Sequence, residues 1–186
     1  EKGLHLLLEA FHQLMTRRNQ EAVSLRIAGY VGPEHRGYVE ELKRQIREWG
    51  LSNAVSFNGT LDRPQKADFY RDLDLFAMPA VYDDPKGVTL LDAMACGVPV
   101  VAPRRGTYSE MIERTGGGVL VSPDNVDALV EVLTELQADP ARRAHLGATG
   151  ASGVRQHYSA GRMAESALAI YETLARRPPS SDESVA

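Results

Sequence analysis

Asp84 and Asp92 are two carboxylates with seven residues between them, on either side of what reads as the opening of a short helix. Pro85 suits the first turn of such a helix, where its missing N–H removes no bond and its fixed φ is already helical. Asp84, just before it, fits an N-cap whose side chain accepts a free backbone N–H. The helix N-terminus has unpaired amides and a partial positive charge, and both favour an anionic ligand. Gly87 lets that ligand approach the backbone closely. Residues 83–103 thus divide into an acidic loop, a helix opened by Pro85 and Gly87, and a buried strand over 98–102. The chemistry on offer is anion binding beside acids that can accept hydroxyl groups.

Other reactive side chains fit quieter roles. His5 and His12 lie off the apolar stripe of the first helix and read as surface residues. Cys96 falls between helix and strand and reads as core. Gly116, Gly117 and Gly118 lack the following Lys-Ser/Thr of a phosphate-binding P-loop, so they read as a turn. No Cys/His cluster has the spacing of a zinc site. Glu110 is open to a place at the site or at a helix start, and Arg104 and Arg105 are open to phosphate or solvent.

These residues need a scaffold, and the pattern along the chain supplies one. Leu4, Leu7, Leu8, Phe11, Leu14 and Met15 recur at helical spacing and predict a helix to Arg18. A strand over Val23–Gly29, a helix from His35 to Trp49 and a second strand over Ala54–Phe57 follow. Lys66–Leu73 reads as a helix and Asp74–Met78 as a third strand. After the fourth strand at 98–102 come a short helix holding Glu110 and Ile112, a fifth strand over Val119–Val121 and a helix over Val126–Gln137. Pro140 to Arg176 reads as two helices broken near Tyr158-Ser159, and 177–186 as a flexible tail. Strands alternating with helices imply an α/β domain, a doubly wound, Rossmann-like parallel sheet covered on both faces. Ligands in such sheets sit at the carboxyl ends of the strands. The loops at Gly29, Asn58-Gly59, Ala80–Asp84 and Arg104–Gly106 all follow strands and are expected to converge on one rim.

Composition narrows the function class. The chain has 186 residues, room for one sizeable domain. A net charge of −4 argues against a general nucleic-acid binder. One cysteine excludes an internal disulfide and suits a reducing, cytoplasmic compartment. No apolar run approaches the roughly 18 residues of a membrane span, and no signal peptide is visible. The sequence opens on Glu1-Lys2-Gly3 and a helix, without an initiator Met or a first strand, so a piece of a longer chain is expected.

The ordered set of motifs resembles the C-terminal, donor-binding half of retaining glycosyltransferases of family 4, which have the GT-B fold. It comprises Glu1-Lys2-Gly3, Leu25–Gly29, Val55–Gly59, Asp74–Pro79, Asp84–Val101, Gly118–Val121 and the late Tyr171, and it covers Glu1 to Arg176. The resemblance implies a nucleotide-sugar-binding domain over 1–176, with the acceptor held by an N-terminal domain absent from this sequence. Peripheral membrane contact, at the inner face of the membrane, would reside in that absent domain. The paired acids of the family fall on Asp84, which would contact hydroxyls of the donor sugar, and Asp92, which would hold the ribose. The amides of Lys86, Gly87, Val88 and Thr89 would meet the sugar and diphosphate, and Lys2 would neutralise the diphosphate. The usual companion arginine of Lys2 would precede Glu1. Asn58, Gly59, Thr60 and Leu61 would border the base through their main chain. The donor substrate would be a nucleoside diphosphate sugar, with no cofactor and no metal.

This chain departs from its relatives at several positions. Both acids are Asp where Glu is usual, Lys86 stands where an aromatic is common, and Ala80 where Ser is common. Asp72-Leu73-Asp74 resembles the metal-binding Asp-x-Asp of the other glycosyltransferase fold, but its place at a strand start favours capping. A catalytically impaired nucleotide-sugar-binding or regulatory module, or a nucleotide-sugar epimerase, is the alternative to a transferase.

Overall fold

The computed structural model describes residues 1–18 and 23–176, so the expected tail at 177–186 lies outside the described residues. The chain runs α1 (Leu4–Arg18), β1 (Leu25–Ile27), a 3-10 turn (Pro33–His35), α2 (Arg36–Glu48), β2 (Val55–Phe57) and α3 (Arg63–Arg71). It continues through β3 (Phe76–Ala77), α4 (Val88–Ala95), β4 (Val100–Pro103), α5 (Tyr108–Thr115), β5 (Gly118–Val121), α6 (Val126–Ala138), α7 (Pro140–His157) and α8 (Ala160–Ala175).

Every strand pairing is parallel, as the alternation of elements requires. The single expected sheet is hydrogen-bonded as two groups, β1-β2 and β3-β4-β5. β4 lies at the centre of the second group and is buried at all four residues. Its side chains alternate, as strand geometry dictates. Val100 and Ala102 join Phe69 and Tyr70 of α3, Leu90 and Met94 of α4, and Tyr108 and Ile112 of α5. Val101 joins Ala10 of α1 and Leu129, Val130, Leu133 and Leu136 of α6 on the opposite face. A third cluster seats Leu8 and Phe11 of α1 with Leu42 and Ile46 of α2 over Leu25, Ile27 and Val55. Helices therefore cover both faces of the sheet.

Several boundaries differ from the sequence reading, each for a local reason. β1 and β3 are shorter than expected. Pro99 and Pro103, whose N–H groups would face β3, supply none, so the β3–β4 ladder stops close to Phe76–Ala77. α3 begins three residues before Lys66, because Asp62 and Gln65 form a reciprocal capping box, with 2.9 Å bonds in both directions. α4 begins at Val88 and not at Pro85. Gly87 lies at φ 56°, in the left-handed region, and turns the chain into the helix. The break at Tyr158-Ser159 falls as expected, with the Ser159 side chain accepting from Arg162 N.

Candidate functional site

The loops after β3 and β4 meet at the carboxyl ends of the two strands. Arg105 Nη1 donates to the Ala80 carbonyl at 3.3 Å and grips Asp124 with two bonds, of 3.2 and 2.6 Å. The Asp84 carbonyl accepts from Thr107 N at 3.2 Å and from Thr107 Oγ1 at 3.0 Å. The N-terminal segment lies against the same loop, where Val81 N donates to the Glu1 carbonyl at 2.9 Å. Gly3 makes that crossing feasible. It sits at φ +73°, and a Cβ there would stand 1.7 Å from the Pro79 carbonyl oxygen.

This frame brings Lys2 to Asp84. Asp84 is 6% exposed, and its carboxylate accepts from five donors. Oδ1 takes the amides of Lys86 and Gly87, both at 3.0 Å. Oδ2 takes Lys2 Nζ at 2.9 Å and the hydroxyls of Tyr82 and Tyr108, each at 3.0 Å. Lys2 Nζ also donates to the Tyr82 hydroxyl oxygen. Burial alone would push the Asp84 carboxyl up. The Gly87 amide, Lys2, the Lys86 amide and Tyr82 outweigh it and hold Asp84 well below the usual carboxylate range. Burial would lower Lys2, but its bonds to Tyr82 and Asp84 raise it on balance. Burial and then the Asp84 charge push the Tyr108 hydroxyl up.

A carboxylate offers about four lone-pair positions. With five donors on it, the Asp84 carboxylate is fully engaged within the protein. Asp84 is not the cap residue of α4, since that position belongs to Gly87. Asp84 instead folds the 84–87 turn onto itself and anchors it to Lys2 and α5.

Lys2, Tyr82, Asp84, Pro85, Lys86, Val88 and Thr89 line a cavity of about 330 Å³ at this turn. Val88 N and Thr89 N, the first amides of α4, have no acceptor among the described residues. Thr89 Oγ1 is buried and likewise without a partner. The Lys86 ammonium is exposed and unpaired among the described residues.

Asp92 lies one turn further along α4, half-buried, and its carboxylate has no hydrogen bond or ion pair among the described residues. Burial and then its charge push the Tyr70 hydroxyl of α3 up to about 12. Asp92 is not among the residues lining the cavity.

The loop 58–61 is built separately. Asn58 N donates to the Ile27 carbonyl at 2.7 Å and Gly29 N to the Gly59 carbonyl at 2.8 Å, so the loops after β1 and β2 are joined. Asn58, Gly59 and Thr60 are exposed, while Leu61 packs against the core cluster containing Leu90 of α4. The four loops thus come together as two pairs, with Leu61 reaching from one pair toward α4.

Tyr82, Thr107, Tyr108 and Asp124 were not legible as site residues. Tyr82 bonds both nearby Asp84 and distant Lys2, the other three act through contacts distant in sequence, and none belongs to a spaced motif. Elsewhere, Arg104 bonds Glu113 at 2.6 Å, away from the cavity. Burial pushes the Cys96 thiol up, which makes it a poor nucleophile. A larger open hollow of about 440 Å³ lies at the α7–α8 junction, lined by Gln156, His157, Ser159, Gly161, Arg162 and Glu165. Arg162 and Glu165 pair with each other at 3.0 Å, so their charges are already matched, and the smaller cavity is the better candidate. Among the described residues no three His, Cys, Asp or Glu cluster as a metal site, and no helix is long and apolar enough to cross a membrane.

The chain as a whole is similar to known proteins. A family profile described as glycosyl transferases group 1 matches residues 1–152. The lipopolysaccharide core biosynthesis mannosyltransferase LpsB of Rhizobium meliloti is 31% identical over 180 residues, covering 95% of this chain and 49% of that protein. A GDP-mannose-dependent phosphatidylinositol monomannoside mannosyltransferase of Mycolicibacterium smegmatis is 34% identical over 155 residues, covering 80% and 39%. The chain thus spans half or less of the length of these curated relatives. Among solved structures, Anabaena HepE in complex with UDP-glucose superposes with a TM-score of 0.81 at 27% identity, covering 94% of this chain and 45% of that one. The C-terminal domain of a Francisella tularensis group 1 glycosyl transferase shares the fold, with a TM-score of 0.76 at 24% identity, covering 86% and 80%.

Proposed function

The chain belongs to the group 1 glycosyl transferases, and on that premise we propose that it is the donor-binding domain of a retaining, family 4 enzyme. The complete protein would move a sugar from a nucleoside diphosphate sugar to an acceptor held by an N-terminal half outside this sequence. The observation that carries the reading is the contrast between the two acids. Asp84 is engaged by five donors, whereas Asp92 is half-buried and unpartnered, one turn from the free amides of Val88 and Thr89. A half-buried carboxylate without a partner is unfavourable in the free protein, and paired ribose hydroxyls would satisfy it.

In this reading the diphosphate sits at the N-terminus of α4, on Val88 N and Thr89 N, with Lys2 and Lys86 at its edge. The main chain of Asn58–Leu61 borders the base. Asp84 positions the turn that carries these groups. As the sugar–phosphate bond breaks, negative charge gathers on the leaving diphosphate, and fixed amides and ammonium groups stabilise it where it forms. That electrostatic task needs no metal ion. HepE, whose solved complexes contain UDP and UDP-glucose, and the GDP-mannose-dependent relative support a nucleotide sugar as the ligand.

The engagement of Asp84 also favours a second reading, a domain that binds nucleotide sugar without transferring it. Sugar transfer by the complete protein, with an Asp84→Glu variant beside it, separates the two. The binding claim itself is tested by calorimetry of this domain with UDP, GDP and ADP. At least one is expected to bind with saturation, and a folded sample that binds none of them overturns the proposal.

A further inference from the structure

Three loops meet at the Arg105 guanidinium. Its side chain follows β4 and is only 19% exposed. Nη2 bonds Asp124 Oδ2 at 2.6 Å and Nη1 bonds Asp124 Oδ1 at 3.2 Å, a bidentate pairing of fork and carboxylate. Nη1 also donates to the Ala80 carbonyl at 3.3 Å, and Nε lies 4.0 Å from Asp83 Oδ1. Asp124 belongs to the loop after β5, and Ala80 and Asp83 to the loop after β3. One side chain thus fastens the carboxyl ends of β3, β4 and β5 to one another.

The Asp124 end of this clamp is built into a strained turn. Among the described residues Asp124 is the one non-glycine residue with a positive φ, at 55°. Such a backbone costs energy and persists where its surroundings over-determine it. Asn125 pins the turn on one side, its side chain accepting from Ala128 N at 2.9 Å to cap α6, and Arg105 pins it on the other. The far end of the clamp holds the loop that carries Tyr82 and Asp84, and Asp84 in turn fixes the Lys86 and Gly87 amides. Arg105 and Asp124 themselves are not among the residues lining the cavity. A ligand there would feel them only through the loop.

We propose that Arg105, clamped by Asp124, is a positioning residue that presets the 80–87 loop for the donor nucleotide. This rests on the reading of the cavity as a nucleotide-sugar site. A loop already held in its binding form spares the ligand the entropy cost of ordering it. Arg104, the preceding residue, pairs with Glu113 away from the cavity and has no such task.

The test compares wild type, Arg105→Met, Asp124→Gly, the double variant and Arg104→Met by calorimetry with UDP, GDP and ADP. Glycine takes the left-handed φ without strain, which offsets the lost ion pair, so Asp124→Gly should keep an unfolding midpoint close to wild type. Each of Arg105→Met and Asp124→Gly should nevertheless weaken the best-binding diphosphate about five-fold or more. The double variant should bind no worse than Arg105→Met alone, because a single clamp is broken in either case. Arg104→Met should bind as wild type does. In the ligand-free protein Asp124→Gly should also speed hydrogen exchange at the Lys86 and Gly87 amides, which a pair serving only global stability would not do at an unchanged midpoint. If Arg105→Met weakens binding and Asp124→Gly does not, Arg105 acts without its clamp and the proposal is overturned while the nucleotide site stands. Wild-type binding by both single variants overturns it equally. If wild type binds no diphosphate, the underlying reading fails and this role fails with it.

Discussion

Lys2 Nζ and Asp84 Oδ2 lie 2.9 Å apart although 82 positions separate them in sequence. The pair closes the N-terminal segment onto the loop after β3, and the 84–87 turn is shaped around it. The site is therefore a property of three chain segments, 1–3, 80–89 and 105–108, and not of one motif.

The crossing at Gly3 should be the least tolerant point of this arrangement. A Cβ at 1.7 Å from the Pro79 oxygen cannot be accommodated by a rotamer change, because the obstacle is backbone. Gly3→Ala should lower the unfolding free energy by roughly 2 kcal/mol or more, since both the left-handed φ and the contact oppose it. A denaturant midpoint equal to wild type would show that segment 1–3 does not hold this position in solution.

Removing the Asp84 carboxylate should unpair several buried groups together. Asp84→Ala leaves the Tyr108 hydroxyl and the Gly87 amide without acceptors and Lys2 without its counter-charge. We expect a loss of about 2–4 kcal/mol in chemical unfolding, in line with breaking a buried charged network. Tyr108→Phe, which removes a single donor from the same carboxylate, should lose about 1 kcal/mol.

Acid should act through the same carboxylate. The Asp84 pKa is lowered in the folded protein, so the unfolded chain takes up the proton first as the pH falls. Its contribution is complete above the ordinary carboxylate pKa near 4 and is lost as the pH falls below that toward the folded value. The stability gap between wild type and Asp84→Asn should be widest at neutral pH and narrow steadily below about pH 4. Lys2 works in the opposite direction. Its raised pKa means that its contribution is complete below the ordinary lysine pKa and is lost as the pH rises above that toward the folded value. A gap that stayed constant from neutral pH to pH 3 would contradict the network.

Asp92 should matter to the ligand and not to the fold. Its carboxylate has no protein partner among the described residues, so Asp92→Ala should leave the melting temperature near wild type. It should weaken nucleoside diphosphate binding by about ten-fold or more, the range expected for hydrogen bonds to a charged acceptor. Asp68→Ala, at an exposed acid paired only with its neighbour Arg71, serves as the control and should bind as wild type does.

Much of the fold could be read from local pattern. The apolar stripe of α1, the alternation of strands and helices, and the Ser159 break each rest on interactions within a few residues. The start of α3 was signalled by Asp62 and Gln65, although the helix pattern alone suggested a later beginning. The start of α4 was misread because Pro85 fits a first helical turn equally well, and only the left-handed Gly87 shows that it precedes the helix. The acids were found by their spacing. Their different environments were not, because the donors that engage Asp84 come from Lys2, Tyr82 and Tyr108, and the two most remote lie 82 and 24 positions away. Sequence periodicity is blind to contacts of that range, and the pairing of Lys2 with Asp84 was hidden for the same reason.

The central claim is that a nucleoside diphosphate binds at the N-terminus of α4. Amide-resolved NMR titration with UDP, GDP and ADP tests it most directly. The account predicts saturable shifts for at least one of the three, largest at Lys86, Gly87, Val88 and Thr89 and extending to Asp92. Shifts confined to residues 156–165 at the α7–α8 hollow, or no saturable shifts with any of the three, would contradict it.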